Sequence, residues 1–574
     1  MHVSWVGRVQ VAVVLACAVT FTAPVRGEAG GDPVMTLTVL TTNDVHGRIQ
    51  QLPLLGGYIR NVRAARARDG GAVLLLDGGD IFQGTIESNA SEGAAMVRAY
   101  RALGYSAVTL GNHEFDYGPV GPHPIPVGAE DPLGAIKARV AEAPFPFLNA
   151  NLQGPEGKPL AIPKLRQSVI LRPGGVRVGL IGGMTMDLLR TTHSGNTRDV
   201  RVASLSDSVA EQARRLRKEG ARVVIALVHA GGECHDLRAP DDLSSCDDNA
   251  EVFRLARALP AGSVDMIVAG HTHSGVAQRV NGIAIVEAFS NGRAFGRVDF
   301  EIPRSPSGQI RVQMRPPESL CTESLDKLSC AAGVTYEGAP VERDASVLRA
   351  IASDLRAAHA ARERMIGLEV VAAVRREGKV ESPLNNLISD LMLQAWPGAD
   401  AAFSNAGAVR IPLPKGPLRY GTVFEMFPFD NTFATLQIPA RQLASILANN
   451  LQSSTGILSL AGLRGAASCK DGQLTVQLFD LAGKPVDPDR PLSVITSDFL
   501  AGSGDGVMNG QKFAPNALAI VRERSVRDAL LEGLIAWPGG KLDGNDKRLY
   551  DAEQPRVRYD GTRPLSCAVA AGKP

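Results

Sequence analysis

Five short apolar runs, each stopped by residue types that bind metals, restrict this chain to few folds. Residues 37–42 lead to Asn43-Asp44-Val45-His46, and 73–76 lead to Asp77-Gly78-Gly79-Asp80. Residues 107–110 lead to Gly111-Asn112-His113-Glu114, 223–228 to His229, and 266–269 to Gly270-His271-Thr272-His273. A short continuous apolar or β-branched run closed by turn residues reads as a strand buried on both faces. Loops beyond such strands are where a rigid scaffold aims side chains at one point. The pattern therefore indicates one site built from Asp44, His46, Asp80, Asn112, His229, His271 and His273.

A hydrolytic site with two ions roughly 3.5–4 Å apart needs a carboxylate between them. Asp80, after two conformationally free glycines, is placed for that bridge. Asp44 and His46 are two residues apart, as are His271 and His273, and in extended chain each pair points the same way. Oxygen and nitrogen donors without sulfur suit Zn, Mn, Fe or Co better than Ca or Mg. The expected cofactor is thus a pair of divalent ions from that group. His123, His193, His235 and His359 have no comparable placement and read as structural or solvent-exposed, and the acidic stretch 236–248 as a solvated flap.

A length of 574 residues is about three to four times the usual domain size, so at least two domains are expected. A formal net charge of +2, with no basic stripe, removes any electrostatic case for a nucleic-acid polymer, and none is expected as partner. Arg8 precedes an apolar stretch at 9–19 that gives way to small and turn-forming residues up to Gly27. That is too short to span a bilayer and fits a cleaved secretory signal over 1–27. A lipoprotein reading of Val14-Leu15-Ala16-Cys17 is opposed by the bulk of Leu15 and the apolar residues after Cys17. No later run is long enough to cross a membrane, so the expectation is an exported, periplasmic or secreted protein without a transmembrane anchor. Six cysteines remain beyond the signal, an even number that reads as disulfides in such a compartment. Proximity favours Cys234–Cys246, Cys321–Cys330 and Cys469–Cys567, one of fifteen possible pairings. No Cys-x-x-Cys spacing supports a thiolate metal site.

Strand-like runs alternate with helical stretches, such as 92–103 and 209–219, from residue 35 to about 315, the mark of a layered α/β domain. Residues 118–133, rich in Pro and Gly, read as a loop. Runs 176–182 and 283–288 read as strands without ligands. A helix over 344–365 lies between two differently patterned halves. From Gly367 a second α/β unit follows, with a helix over 383–394 and strands at 433–438 and 492–496.

Asn43-Asp44-Val45-His46-Gly47, Gly79-Asp80, Gly111-Asn112-His113-Glu114-Phe115-Asp116 and Gly270-His271-Thr272-His273 resemble the signatures of calcineurin-type metallophosphoesterases. More closely, the chain resembles the secreted 5′-nucleotidase family, which includes UDP-sugar hydrolases and 2′,3′-cyclic-nucleotide phosphodiesterases. The resemblance implies a four-layer α/β/β/α sandwich over 35–340, a linker helix over 341–366 and a second α/β, substrate-binding domain over 367–570. It implies one metal on Asp44, His46, Asp80 and His273 and a second on Asp80, Asn112, His229 and His271. His113 would then stabilise charge on the phosphoryl group and leaving group, with Asp116 orienting it. Some relatives carry Gln where this chain has His273, and either side chain ligates.

In the second half, Asn385-Asn386-Leu387-Ile388-Ser389-Asp390 resembles a family helix with Gly in the place of Asn385. Ser404-Asn405-Ala406-Gly407-Ala408-Val409-Arg410 resembles Asn-Gly-Gly-Gly-Ile-Arg, with alanine replacing two glycines. The added methyls are expected to tighten the fit around a substrate. Phe429 and Phe499 match paired aromatics that clamp a nucleobase, and stacking tolerates any base because each has a π-face. Asp505 matches an acid that binds ribose hydroxyls, Asn405 lies in the substrate motif, and Arg410 offers its fork of donors to a phosphate or sugar edge. The implied substrate is a nucleotide or nucleotide-sugar, with 5′-nucleotidase activity first and UDP-sugar or cyclic-nucleotide hydrolysis by the same machinery. Two alternatives are a thiosulfate-ester hydrolase of sulfur oxidation, whose family shares both domains, and a non-catalytic nucleoside-binding surface protein. The aromatic pair disfavours the small sulfur ester, and the complete set of ligand types disfavours the inactive protein.

Overall fold

The computed structural model describes residues 34–567 except 122, 124, 306, 322–329, 332, 471 and 503, with backbone alone at 522 and 523. The signal expected over 1–27, with Cys17, lies outside the described residues.

Two six-stranded sheets form the centre of the first domain. In spatial order the first is Arg311–Ser319, Ala294–Pro303, Val34–Thr42, Ala72–Asp77, Ala107–Thr109 and Phe147–Leu148. The second is Gly275–Val280, Ile283–Ala288, Met266–Val268, Val223–His229, Val178–Met184 and Ser168–Leu171. The four strands from Val34–Thr42 to Phe147–Leu148 are parallel, as are the four from Ile283–Ala288 to Val178–Met184. Antiparallel strands close the edges.

The unbroken apolar runs follow from burial on both faces. Leu74 and Leu76 enter the core between the sheets with Val178, Val223, Ile225 and Leu227. Leu75 turns outward against Leu55, Ile59, Met96 and Tyr100 of two covering helices. Val224, Ala226 and Val228 face a second helical layer through Val209, Leu216 and Phe253. Successive residues thus alternate between two dry cores, and the domain is a four-layer α/β/β/α sandwich.

Helix ends depart from the sequence expectation for local reasons. The helix expected from residue 92 begins at Ala94, because Gly93 precedes it in left-handed conformation. The helix expected from 209 begins at Leu205, where the Ser204 hydroxyl accepts the Asp207 N–H. The connector helix is Ala345–Arg362, started by Asp344, which accepts from Ser346 and Val347; Met365 already opens the strand Met365–Ala372. No helix or strand forms among the described residues of 118–133. The disulfides are Cys234–Cys246, Cys321–Cys330 and Cys469–Cys567.

A second domain carries a five-stranded sheet in the order Leu458–Ala461, Ala401–Asn405, Pro491–Ser497, Thr432–Pro439, Leu518–Ser525. Its two faces bury separate cores, one with the helices Pro383–Gln394 and Val526–Ile535, the other with Ala440–Leu451. The connector helix joins the domains. Val347 and Ile351 sit in the first domain's core, while Ala358 meets Ile86 and Phe424. Arg362 pairs with Glu87 of the first domain at 2.9 Å and with Glu425 of the second.

Gly182 shows how tightly the sheets meet, since a Cβ there would lie 2.2 Å from the Leu148 carbonyl carbon across the interface. Gly182→Ala is expected to destabilise the protein by about 1–3 kcal/mol through overpacking. Gly154→Ala, with nothing within 4 Å, should leave stability near wild type in the same urea unfolding measurement.

Candidate metal centre and adjoining cleft

Because the ligand-bearing strands are parallel within each sheet, their C-terminal ends open at one edge of the sandwich. There the backbone is not extended. Asp44 (φ 50°), His46 (φ 49°), Asp80 (φ 57°), His271 (φ 84°) and His273 (φ 60°) are all left-handed, which costs each on the order of 1 kcal/mol or more. This corrects the expectation that the i, i+2 pairs converge through strand pleating; tight turns aim them instead. Hydrogen bonds hold the turns, with Asp44 N donating to Gly79 O at 2.9 Å and His46 N to Asp80 O at 3.0 Å. Gly79 (φ 94°) is irreplaceable on two counts, since a Cβ there would also lie 2.9 Å from His229 Nδ1.

The turns bring carboxylate oxygens and ring nitrogens together in two overlapping groups. One carboxylate oxygen or ring nitrogen from each of Asp44, His46, Asp80 and His273 lies within 4.8 Å of the others, and the same holds for Asp80, His229 and His271. Asp80 belongs to both groups. His229 gives its Nδ1–H to the Gly78 carbonyl at 2.9 Å, so Nε2 is the nitrogen left to hold either a proton or, once that proton is displaced, a metal ion. His229 Nε2 faces Asp80 Oδ2 at 3.1 Å and Asn112 Oδ1 at 3.0 Å. Asn112 donates its amide to Thr191 O at 3.1 Å, which fixes its oxygen toward His229 and, at 3.1 Å, His271 Nδ1. His46 likewise gives Nδ1–H to Gln83 O at 2.9 Å and turns its bare Nε2 to His273 Nε2 at 2.9 Å.

Lone pairs converging in a buried space repel unless a cation lies among them. Burial pushes His46 down to about 4, and burial with the charge on His229 does the same for His271, so both imidazoles are neutral, as metal binding requires. Burial opposes ionisation of Asp44 and Asp80, yet a hydrogen bond from His273 and the charges on His229 and His113 hold them below the ordinary carboxylate range. His229 is pushed to about 10, its burial outweighed by Asp80, so a proton there substitutes for the missing positive charge. The donor set fits a pair of divalent ions.

His113 stands beside the cluster. Its N–H donates to Asp80 Oδ1 at 2.9 Å, and its Nδ1 meets Asp116 Oδ2 at 2.5 Å. Burial lowers its pKa, but Asp116 and Asp80 outweigh that and raise it to about 9. The ring is an imidazolium at neutral pH.

Four supporting residues escape the sequence reading. Glu114 accepts the backbone N–H groups of Asp80, Ile81, Phe82 and Gly111 at 2.6–3.1 Å. Asn43 ties Asp44 Oδ2 to the Phe289 carbonyl. Asp77 receives Thr42 Oγ1, Tyr100 OH and Gly79 N beneath the Asp80 turn. Glu287 lies under the His271-Thr272-His273 turn. A single acid inside the apolar run 283–288 was the visible signal for Glu287; Glu114 is part of the quoted motif, but its role needs the fold.

A cleft of about 500 Å³ extends from the cluster between the domains, within the usual range for small-molecule sites. His46, His113 and His271 line one wall, and Asn405, Arg410, Phe429, Phe499 and Asp505 line the other. The Phe429 ring centroid is 6.4 Å from that of His113, and the Arg410 guanidinium lies 5.6 Å from the Phe429 ring. Asn405 donates to Asp505 at 2.6 Å. Gly407 leaves room for this pair, since a Cβ would lie 3.1 Å from Asn405 Nδ2. Of the two alanines, Ala408 lines the cleft while Ala406 is fully buried. Asn385 uses its amide to hold the Glu377 carbonyl at 2.8 Å. His193, read from sequence as structural or exposed, is buried, lines the cleft and binds Asp498 at 2.9 Å.

The calcineurin-like phosphoesterase family profile matches residues 37–275, and that of the 5′-nucleotidase C-terminal domain matches 357–512. Protein UshA of Yersinia enterocolitica is 26% identical over 517 residues, covering 83% of this chain and 87% of the relative. A 5′-nucleotidase of Vibrio cholerae is 27% identical over 548 residues, covering 86% and 90%. The crystal structure of a 5′-nucleotidase precursor from Thermus thermophilus has a TM-score of 0.64 at 24% identity, covering 89% of this chain and all of that one.

Thr272 Oγ1 lies 2.7 Å from both the Gly232 carbonyl and Glu287 Oε1. The hydroxyl has one proton to give to these two acceptors, an arrangement that favours a protonated Glu287 donating in return. Burial, with Asp44 nearby, raises its pKa to about 8. A carboxyl raised in the folded state contributes most at low pH, and that contribution fades from the unfolded value up to about 8. Glu287→Gln, which keeps the donor without the titration, should therefore exceed wild type in stability at pH 8 by on the order of 3 kcal/mol. Urea unfolding at pH 5 and pH 8 should show the gap close on acidification.

Proposed function

Because the chain belongs to the 5′-nucleotidase family of calcineurin-like metallophosphoesterases, and is a metal-dependent phosphoester hydrolase, we propose that its reaction is dephosphorylation of nucleoside 5′-monophosphates. The observation that carries this reading is one cleft with a metal-type donor cluster on one wall and two phenylalanines, an arginine and an acid on the other. Asp44, His46, Asp80 and His273 would hold one divalent ion, and Asp80, Asn112, His229 and His271 would hold the second. When bound, the ions polarise the phosphoryl group and lower the pKa of water toward neutrality.

The chain's own residues supply the rest. His113, charged and held in orientation by Asp116, stabilises charge on the phosphoryl oxygens and on the departing ribose oxygen. Phe429 and Phe499 stack the base, Asn405 and Asp505 take the ribose hydroxyls, and Arg410 holds a phosphate or sugar edge. UDP-sugars present the same base and free ribose hydroxyls and would reach the same centre; a 2′,3′-cyclic nucleotide, whose hydroxyls carry the phosphate, would keep the base stack and forgo the Asn405 and Asp505 contacts. The signal-like segment at 1–27 and three disulfides support export to an oxidising compartment. No helix of the described residues is long and apolar enough to cross a membrane.

Purified protein, chelated and then resupplied with Mn or Zn, should release phosphate from AMP only when metal is restored. UDP-glucose and 2′,3′-cyclic AMP, followed by a coupled phosphatase, define the breadth of the site. His113→Ala should lose about 10²- to 10⁴-fold in kcat with metal content unchanged. A metal-loaded protein that hydrolyses none of these nucleotides would refute the reading.

A further inference from the structure

Three consecutive residues carry three separate links. The Thr191 carbonyl accepts the Asn112 amide at 3.1 Å, fixing which way that amide faces. The Thr192 hydroxyl donates to Asp116 Oδ1 at 2.9 Å, opposite the oxygen that holds His113. His193 Nδ1 reaches across to Asp498 Oδ2 at 2.9 Å. Both partners of this last contact are buried, at 6% and 5% exposure. Asp498 in turn accepts, on its other oxygen, the N–H groups of Phe499 at 2.8 Å and Thr432 at 3.1 Å. The segment is anchored behind, where the His193 carbonyl accepts from Asn196 and Thr197 and the Asn196 amide donates to the Phe115 carbonyl at 2.8 Å.

We propose that His193 is a positioning residue through which the second domain, by way of Asp498, sets Thr192 on the His113–Asp116 pair and Thr191 on Asn112. The inference rests on the phosphohydrolase reading above and adds a coupling to it. A buried ion pair stripped of one partner leaves an uncompensated charge, so the carboxylate of Asp498 would pull away or draw in water. Because residues 191–193 share one short backbone, displacement of His193 moves the Thr191 carbonyl and the Thr192 hydroxyl with it. Small misplacements of groups that orient a catalytic side chain cost rate rather than binding. The same histidine thus connects the residue proposed to stack the base to the residues proposed to act on the phosphate.

The test compares kcat and KM for AMP and for p-nitrophenyl phosphate, which carries no base, in metal-loaded wild type, His193→Ala, His193→Asn and Thr192→Val. Asparagine Nδ2 is as many bonds from Cβ as histidine Nδ1 and keeps the donor. His193→Ala should lower kcat about tenfold on both esters, with KM for p-nitrophenyl phosphate within about twofold of wild type, and His193→Asn should recover most of the loss. Thr192→Val keeps the Asp498 contact, cuts the link to Asp116 and should lose kcat to a similar extent. The double variant Thr192→Val/His193→Ala should lose less than the product of the two single losses, because the two changes share the Asp116 link and only the Thr191 link is cut in addition. Unchanged kcat in Thr192→Val, a raised KM for AMP with unchanged kcat in His193→Ala, or equal losses in the alanine and asparagine variants would overturn the proposal. Wild-type turnover of p-nitrophenyl phosphate without AMP would refute the nucleotide reading, while the variant ratios on that ester still decide the coupling. Turnover of neither ester would overturn both.

Discussion

The structure depends on carboxylates, an amide oxygen and imidazoles gathered in one buried place, where the chain balances their charge only with the protons on His229 and His113. Asp80 shares its carboxylate between two sets of acceptors, and His46, His229 and Asn112 have each spent their donor on a backbone carbonyl. Such a cluster is unfavourable by itself, since each buried acceptor has given up water. It becomes favourable when divalent cations enter, so binding energy and folding energy are linked. The scaffold must hold the atoms apart against their repulsion. Its two parallel sheets do this by delivering five strand ends to one edge, each strand fixed by dry cores on both faces.

Strain at the site is offset by support below it. Five of the seven acceptor residues are left-handed, and the groups beneath them are unusually well bonded. Glu114 takes four backbone N–H groups from the turns that carry Asp80 and Asn112. A neutral Glu287 fastens the His271–His273 turn, and Asp77 fastens the Gly78-Gly79 turn. Backbone in sparsely populated regions persists only where the surroundings over-determine it, and here the over-determination comes from buried carboxyl groups that bond the backbone and hydroxyls of the turns.

What the sequence revealed and what it hid follow from this division. The layered α/β fold and the seven acceptors were legible because strands buried on both faces leave unbroken apolar runs, so a polar residue at the end stands out. The resemblance of Phe429, Phe499 and Asp505 to a substrate platform was legible from local motifs, and the structure places all three on one cleft. The turn geometry was not legible, because left-handed Asp and His look like any other Asp and His in a row of letters. Nor was His193. Its partner Asp498 is remote in sequence and on the other domain, so no spacing rule could pair them. Helix starts missed by a few residues were set by Gly93 and by the Ser204 cap, local chemistry that apolar periodicity does not register.

The two domains divide the cleft, with the acceptor cluster on one and Phe429, Phe499, Asn405 and Asp505 on the other, and the helix Ala345–Arg362 holds them in register through Arg362. All of this assumes that the cluster binds two ions about Asp80. The most direct measurement is anomalous X-ray diffraction at the Mn or Zn edge from crystals of the metal-loaded protein. Two peaks roughly 3.5–4 Å apart, flanking the Asp80 carboxylate, are the expected result. A single peak, or peaks away from Asp80, would contradict the account.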